Sequence, residues 1–461
     1  MLVERSAQAD DTEAMGDALR PGGEEPRRRT FRSNVLLNYG TNLTVAVLAL
    51  VNILIVARAL GPRGRGDVAF LSAIAYITAN LAALGITEAN ANIGASEADR
   101  RPALATNSVL FCLIFSAFSG ATVLGLVAIF PAVGGDVDRT LLWVTVATVP
   151  VLILQLYLQY LIQSDYRFVV TNVAWLLSPL ANVLVNGTFA ALGIITVGTA
   201  VITNLCGQSL TLLVLFWYAA RRLSGFGRPD LALARRSLAF GVQFHVGRIM
   251  LLGNFRLDQW LLGAISGSRQ LGLYSVAVSW AEVLFFLPTA LAAVQRPDLV
   301  RASRRNAAQD AASVFRKSIV LTAFLGGGLV VAAPVLCVTA FGEDFRGSIL
   351  DLRVLALGAF GIVGLKQLGT ALTAQRRPTL GSAAIGVGFI STLVLDVLLI
   401  PPYEGLGAAL ASALSYTAGG IAVVFIFSRA LGASPTALVP RASDVAALAR
   451  MGRDFARRLL P

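Results

Sequence analysis

The sequence has little charge, almost no histidine and few cysteines. Of its 461 residues, 14% are charged, one is a histidine and three are cysteines. A soluble domain carries about 25% charged residues, so a water-soluble globule of this size is excluded. Cys112, Cys206 and Cys337 are scattered without metal-ligand spacing, and we interpret them as small core residues. Because the acids are not clustered either, we expect no enzyme active site, no metal and no cofactor.

Apolar residues are abundant instead. They make up 56% of the chain, and the mean hydropathy is +0.71. A helix needs about 20 apolar residues to cross a bilayer core. Twelve stretches meet this length, at 36–59, 68–87, 104–130, 140–163, 169–191, 194–219, 238–265, 273–294, 317–341, 349–373, 380–400 and 406–429. Because the alternating pattern of barrel strands is absent, we predict an all-α polytopic membrane protein with twelve transmembrane helices.

The net charge of +12 resembles that of a nucleic-acid-binding protein, but its distribution does not. The basic residues lie between the apolar stretches, where they orient helices in a bilayer. With a cytoplasmic N-terminus, 26 basic residues fall on the inner side and six, including Arg65, on the outer side. We therefore predict a multi-pass protein of a bacterial plasma membrane with both termini inside. Its partner is the lipid bilayer and not nucleic acid.

The pattern divides the chain into two six-helix lobes with tails. The predicted units are a disordered cytoplasmic tail at 1–33, an N-terminal lobe at 34–219, a cytoplasmic linker at 220–237, a C-terminal lobe at 238–430 and a basic amphipathic cytoplasmic tail at 431–461. The last tail fits a helix on the inner leaflet and a frayed solvated segment about equally well. The other long connections are predicted at 88–103 and 295–316.

A short motif indicates that the two lobes are duplicates. Residues 61–66 and 267–272 both read G-x-R-x-x-G, 206 positions apart, and each follows the first helix of its half. Glycine suits a turn that needs a positive φ. Six helices is an even number, so the halves are parallel repeats, an arrangement that transporters use to rock about a central site.

The seventh helix carries an unusual number of polar residues at membrane depth. At about 100° per residue, His245, Arg248, Arg256 and Gln259 share an arc of about 80°, and Asp258 faces away from it. Each buried charge costs about 2.5–3.5 kcal/mol, and this face has no acid of its own. Either acids from other helices neutralise the arginines, or a cationic cavity receives a phosphate or diphosphate, which the planar guanidinium bonds bidentately.

Five further residues complete the set of candidate site residues. Lys366 adds a cation on the tenth helix, and Asn42 and Gln159 are amides suited to sugar hydroxyls or to interhelical hydrogen bonds. Asp258 and Glu282 are among the few acids at depth. They are candidates for binding a coupling proton or sodium ion.

Three segments, at 57–66, 258–277 and 405–411, resemble the polysaccharide flippases of the multidrug/oligosaccharidyl-lipid/polysaccharide exporter superfamily. The resemblance spans about residues 34–430. It implies a V-shaped, MATE-like bundle that moves a polyprenyl-diphosphate-linked glycan from the cytoplasmic to the outer leaflet by alternating access. It also implies other polysaccharide-assembly membrane proteins as partners. The cationic cavity of such a flippase would be formed here by Arg248, Arg256 and Lys366.

Two other functions stay open. An ion-coupled multidrug or small-molecule antiporter of the same superfamily needs an acidic cavity, to which Glu282 and Asp258 would contribute. A membrane glycosyltransferase needs acid–base catalysts at the outer surface and usually a sizeable external loop, whereas the outer connections here are short.

Overall fold

The computed structural model describes residues 31–130, 137–223 and 225–459, and the regular structure in these ranges is entirely helical. Most of the tail predicted at 1–33 lies outside the described residues. The helices are α1 Phe31–Ala82, α2 Ile86–Ser96, α3 Arg101–Ile129, α4 Arg139–Gln163, α5 Phe168–Ala191, α6 Val197–Arg222, α7 Leu231–Ala281, α8 Val283–Arg301, α9 Arg304–Pro334, α10 Ser348–Ala374, α11 Pro378–Leu431 and α12 Ala442–Leu459. The all-α membrane fold is confirmed.

Three of the helices contain a sharp break. The backbone leaves helical geometry at Gly61 in α1, at Gly267 in α7 and at Glu404 in α11, with φ of 68°, 80° and 51°. Nine helical runs among the described residues are long and apolar enough to cross a membrane. The three that contain a break are 46, 62 and 54 residues long, at least twice the length that one crossing needs. Counting each of them as two crossings is consistent with the predicted twelve.

The duplicated motifs meet each other directly. A Cβ atom built on Gly272 would lie 1.8 Å from the carbonyl oxygen of Pro62, and one on Gly66 would lie 1.6 Å from that of Ser268. Only glycine fits at either position. Such a reciprocal contact is expected of two related halves packed about an axis. We call this end of the bundle, which carries both motifs, the motif end, and the opposite end, which carries α12, the tail end.

The halves also touch at the tail end. A Cβ on Gly85, the left-handed residue before α2, would lie 2.0 Å from the carbonyl oxygen of Gly241 in α7. Nearby, Arg236 pairs with Glu97 at 2.6 Å. The hydrogen bond from Arg236 lowers the pKa of the Glu97 carboxyl from its usual value. Contacts at both ends therefore enclose a space between the lobes.

Several predicted connections are helical. Helix α7 begins at Leu231, inside the predicted linker 220–237, because the Asp230 side chain accepts a hydrogen bond from the Leu233 N–H at 2.9 Å and caps the helix. Most of the predicted loop 88–103 belongs to α2. These elements were missed because a search for apolar stretches does not detect polar helices. Of the cysteines, Cys206 is exposed rather than in the core.

The C-terminal tail forms helix α12, which is fixed to α9 at its start. Arg316 of α9 donates from Nε to the Asp444 carboxylate at 2.9 Å and from Nη1 to the Ala437 carbonyl oxygen at 2.6 Å. The Arg441 N–H donates to the same carboxylate at 2.9 Å. Of the two interpretations of this tail, the described residues favour a helix.

The attachment of α12 is expected to weaken in acid. Burial alone raises the pKa of Asp444, but hydrogen bonds from Arg441 and Arg316 outweigh it and hold the pKa below its usual value. The attachment is therefore complete above about pH 4, the ordinary pKa of aspartate, and is lost as the pH falls through the lower folded value. Asp444→Asn should release the helix already at pH 7, seen as faster hydrogen exchange over residues 442–459. Asp310→Asn, at an exposed position on α9, is the control; equal exchange in both variants would contradict the assignment.

Candidate functional site

A cavity of about 480 Å³ lies between the two halves. Helices α1, α4, α5 and α6 of the first half, and α7 with its C-terminal cap Glu282 of the second, contribute to its wall. Its charged and amide-bearing residues are Asn52, Arg65, Asn182, Asn186, Asn204, Gln208, Arg256, Gln259 and Glu282. The wall is therefore polar, with two arginines and one acid.

Arg256 lines this cavity but is paired. Its Nη1 donates to the Glu282 carboxylate at 2.8 Å and to the Phe255 carbonyl oxygen at 3.2 Å. Of the two alternatives left open by the sequence, neutralisation by an acid from outside this helical face holds for Arg256, because α7 turns at Gly267 and brings Glu282 back alongside it. The two side chains remain 30% and 34% exposed. The ion pair therefore presents part of its polar surface to the cavity.

Arg248 is also paired, at the tail end. It donates to the Glu88 carboxylate at 2.9 Å, to Thr87 at 3.2 Å and to Asn80 at 3.1 Å, and it lies 6.0 Å from the centre of the Tyr160 ring. Neutralisation by an acid of another helix holds here too, because Glu88 belongs to the polar helix α2. Arg248 does not line the cavity, and it joins the second half to the first.

Arg65 is the arginine that sequence reasoning missed. It is 9% exposed, lines the cavity, and makes no hydrogen bond or ion pair with any described residue. It was assigned to the outer side because it stands between two apolar stretches. However, α1 resumes directly after Gly61, which places Arg65 about 6 Å further along the helix. That spacing from a turn glycine was the available signal. An unpaired buried cation is costly, so the site attracts an anion.

Amide side chains form a second part of the wall. Asn186 donates to Asn52 at 2.8 Å, and Asn182 donates to Asn204 at 3.3 Å. The side-chain oxygens of Asn182 and Asn186 have no partner among the described residues. These carbonyl oxygens are buried acceptors whose hydrogen-bonding capacity is not used by the described residues.

The other predicted amides and the histidine lie outside this cavity. Gln259 lines it, which leaves its substrate role a prediction, whereas Asn42, Gln159 and His245 do not. Asn42 and Gln159 are partly buried, and His245 is buried with its Nδ1 unpartnered among the described residues. A substrate role for these three stays a prediction.

Two acids, Asp258 of α7 and Asp396 of α11, are buried inside the second half. Asp258 accepts hydrogen bonds from the Tyr274 hydroxyl, from Ser412 at 3.0 Å and from the Gln259 N–H at 2.7 Å. Asp396 is 0% exposed, neither carboxylate oxygen has a partner among the described residues, and it interacts electrostatically with Asp258. Two neighbouring carboxylates in a dry interior do not both ionise alone. This arrangement can hold a proton or a small cation, although the described residues contain no group of three metal-ligating side chains. Asp396 is the partner that sequence reasoning did not assign.

Lys366 lies in a different cavity. That cavity, of about 320 Å³, is lined only by residues between 251 and 416, and it shares no lining residue with the first. The three predicted cations therefore do not form one cavity: Arg256 lines the cavity between the lobes, Lys366 lines the one inside the second lobe, and Arg248 lines neither.

Comparison by sequence identifies a matching family and two relatives that are similar over part of the chain. The model of a family described as polysaccharide biosynthesis protein matches residues 31–294. A probable low-salt glycan biosynthesis flippase of Haloferax volcanii, Agl15, is 26% identical over 170 residues, or 35% of each chain. A probable flippase of the same organism, AglR, is 28% identical over 191 residues, or 39% of each chain. The chain thus aligns with well under two thirds of these relatives.

Solved structures share the fold. The lipid II flippase MurJ in an inward closed conformation superposes with a TM-score of 0.73 at 14% identity, covering 85% of this chain and 87% of that one. An inward-facing multidrug resistance transporter of the MATE family superposes with a TM-score of 0.67 at 15% identity, covering 86% and 98%. An outward-facing MATE transporter gives 0.57 at 12% identity, covering 87% and 98%. At these identities the likeness shows the fold alone.

Proposed function

Since the family model matches more than half of the chain, the protein belongs to the polysaccharide biosynthesis protein family, and from this premise we propose that it is a flippase for lipid-linked oligosaccharides. It moves a glycan on a polyprenyl diphosphate from the cytoplasmic to the outer leaflet by alternating access of two six-helix lobes. It makes and breaks no covalent bond, so it is a transporter and not an enzyme.

The observation that carries this proposal is Arg65 in the cavity between the lobes. Its unpaired guanidinium supplies the positive charge that a diphosphate needs, and its planar fork suits phosphate oxygens. The exposed part of Arg256 adds a second donor on the opposite wall. The free oxygens of Asn182 and Asn186 accept hydrogen bonds from sugar hydroxyls. The site therefore divides into an anion-binding part and a sugar-binding part.

A multidrug antiporter remains the competing function, favoured only by Glu282 in the cavity wall. Because Arg256 neutralises Glu282 and Arg65 stays free, the described wall is net positive. A positive wall selects anions and repels the cationic compounds that such an antiporter would carry.

Removing the protein from its source organism tests the function directly. A flippase loss leaves the lipid-linked precursor on the cytoplasmic leaflet, where an added membrane-impermeant glycan-modifying enzyme acts on it only in inside-out vesicles. Normal delivery of the precursor to the outer leaflet would refute the proposal. Increased drug resistance on overexpression, with unchanged surface glycans, would favour the antiporter.

We place the coupling ion, a proton or sodium, between Asp258 and Asp396. Asp396→Asn is expected to remove the dependence of flipping on the ion gradient, because a neutral amide no longer requires a proton or cation beside Asp258. Flipping by reconstituted protein is measured with and without an imposed pH or sodium gradient. Asp344→Asn, in an exposed turn at the motif end, is the matched control. An unchanged gradient dependence in Asp396→Asn would exclude this site.

The remaining assignments are part of the same proposal. Glu282 was predicted to bind the coupling ion. Its ion pair with Arg256 also holds the arginine at the cavity wall. We place the protein in the plasma membrane of a bacterium, with the tail end and both termini in the cytoplasm. Attaching a reporter after residue 461 and testing its activity on either side of the membrane checks that orientation.

A further inference from the structure

The second cavity has a composition of its own. It lies inside the second lobe, between α7, α10 and α11, with a volume of about 320 Å³. Its described lining residues form an apolar wall with a polar strip that includes Arg296, Lys366, Thr370 and Thr373. These include two cations and no acid.

Among the residues that the structure describes, Lys366 has no counterion. Its side chain is partly buried, and it makes no hydrogen bond or ion pair with any described residue. In contrast, Arg248, Arg256 and Arg316, which are also partly buried, each pair with a carboxylate. An ammonium group in a low-dielectric wall is unfavourable unless an anion neutralises it.

The depth and the neighbours of Lys366 indicate what kind of anion fits. Lys366 lies eight residues before the end of α10 at Ala374, about 12 Å from the tail end. Thr370 and Thr373 follow on the same helical face, toward that end. Arg296, an exposed residue of α8, adds a second positive charge. Two cations together with threonine hydroxyl groups are donors that a phosphate group uses.

The rest of the wall is apolar. Leu251, Phe255, Ile362 and Ile385 surround the polar strip, and the Tyr416 ring packs against Phe255. A ligand that fills this space therefore combines a charged head with an apolar part, or it is a small anion that occupies only the polar strip.

We propose that the cavity around Lys366 binds a phosphate-bearing anion at a second site, separate from the cavity between the lobes. The phosphate contacts Lys366 directly, and Thr370 and Arg296 complete the contacts toward the tail end. The phosphate belongs either to an anionic lipid headgroup or to a free phosphate compound, and both present the same chemistry to the lysine. Because this site shares no lining residue with the cavity that contains Arg65, the proposal does not rest on the proposed transport function.

The test uses purified full-length protein in two arms. In detergent, inorganic phosphate is titrated while the unfolding temperature is followed, with sodium chloride at equal ionic strength as the reference. In lipid nanodiscs that contain phosphatidylglycerol, native mass spectrometry counts the retained lipid. We expect the wild type to respond in one arm, with Lys366→Gln weakening the response at least tenfold and Lys366→Arg retaining it.

The chain offers a matched control, because Lys317 is its only other lysine and does not line the cavity. Lys317→Gln should behave as the wild type. Binding of phosphate alone identifies a free anion, and binding of phosphatidylglycerol alone identifies a lipid headgroup. No response of the wild type in either arm, or an equal response in Lys366→Gln, overturns the proposal.

A second measurement needs no variant. A small amine-reactive reagent modifies the lysines of the wild-type protein, and peptide mass spectrometry compares Lys366 with Lys317 in the same sample. Phosphate or phosphatidylglycerol should lower the modification of Lys366 at least threefold while leaving Lys317 unchanged. Equal modification of Lys366 with and without both probes contradicts the site even if the variants fail to fold.

Discussion

Replacing Arg65 by glutamine is expected to reduce glycan flipping at least tenfold while leaving the protein folded and inserted. A hydrogen bond to a charged group contributes about 1.5–3 kcal/mol, which corresponds to about a ten- to hundredfold change in binding. Arg65 has no partner among the described residues, so the substitution removes no internal ion pair. The unfolding temperature should therefore not fall, since a buried unpaired charge is itself unfavourable.

The neighbouring arginine of the same motif is the control. Arg63 is exposed, whereas Arg65 is buried two residues later. Arg63→Gln should flip normally. Arg65→Lys should recover part of the activity, because an ammonium keeps the charge but lacks the planar fork. Normal flipping by Arg65→Gln would remove the charge argument from the proposed function.

Replacing Gly272 by alanine is expected to open the motif end. The added methyl group would lie 1.8 Å from the Pro62 carbonyl oxygen and 3.1 Å from the Gly66 nitrogen. Both neighbours are backbone atoms, so no side chain can rotate away, and the two motifs must separate. The cavity then becomes accessible from that end in a larger fraction of molecules, by about tenfold for each 1.4 kcal/mol lost from the closed state.

Cysteine labelling measures this opening. Ser279→Cys places a thiol in the cavity wall, in a background where the exposed Cys206 is replaced by serine. A membrane-impermeant thiol reagent added from the motif side should label it faster in the Gly272→Ala protein. Gly327→Ala is the matched control, because a Cβ there has no atom within 4 Å. Equal labelling of the two proteins would show that the glycine contact does not hold this end closed.

Helix α7 shows which contacts sequence periodicity predicts and which it does not. The wheel of α7 predicted that Arg256 and Asp258 point apart, and the structure places Arg256 at the interlobe cavity and Asp258 toward Tyr274 and Ser412. The facing of residues on one helix follows from 3.6 residues per turn. Which residue of another helix lies opposite does not, because it depends on packing between distant segments. The sequence therefore placed Arg256 on the right face, but it could not identify Glu282 as its partner.

The missed residues have a common cause. Glu88 stands in a helix too polar to register as a span, and Arg65 stands in the first turns after a break that hydropathy treats as a loop. Hydropathy detects contact with lipid, whereas these residues face protein. The fold class and the two breaks at Gly61 and Gly267 were accessible because lipid and backbone geometry leave local signals. The partners of the charges were not.

The reciprocal packing of the two motifs bears on how the chain matures during synthesis. When the N-terminal half leaves the ribosome, the residues that Gly66 packs against have not yet been synthesised, since Ser268 and Gly272 are about two hundred residues further along the chain. Its apolar core is incomplete as well, because Leu233 of α7 closes one of its clusters. Until the second lobe inserts, the nascent first lobe therefore lacks the contacts that cover Gly66 and complete this apolar cluster.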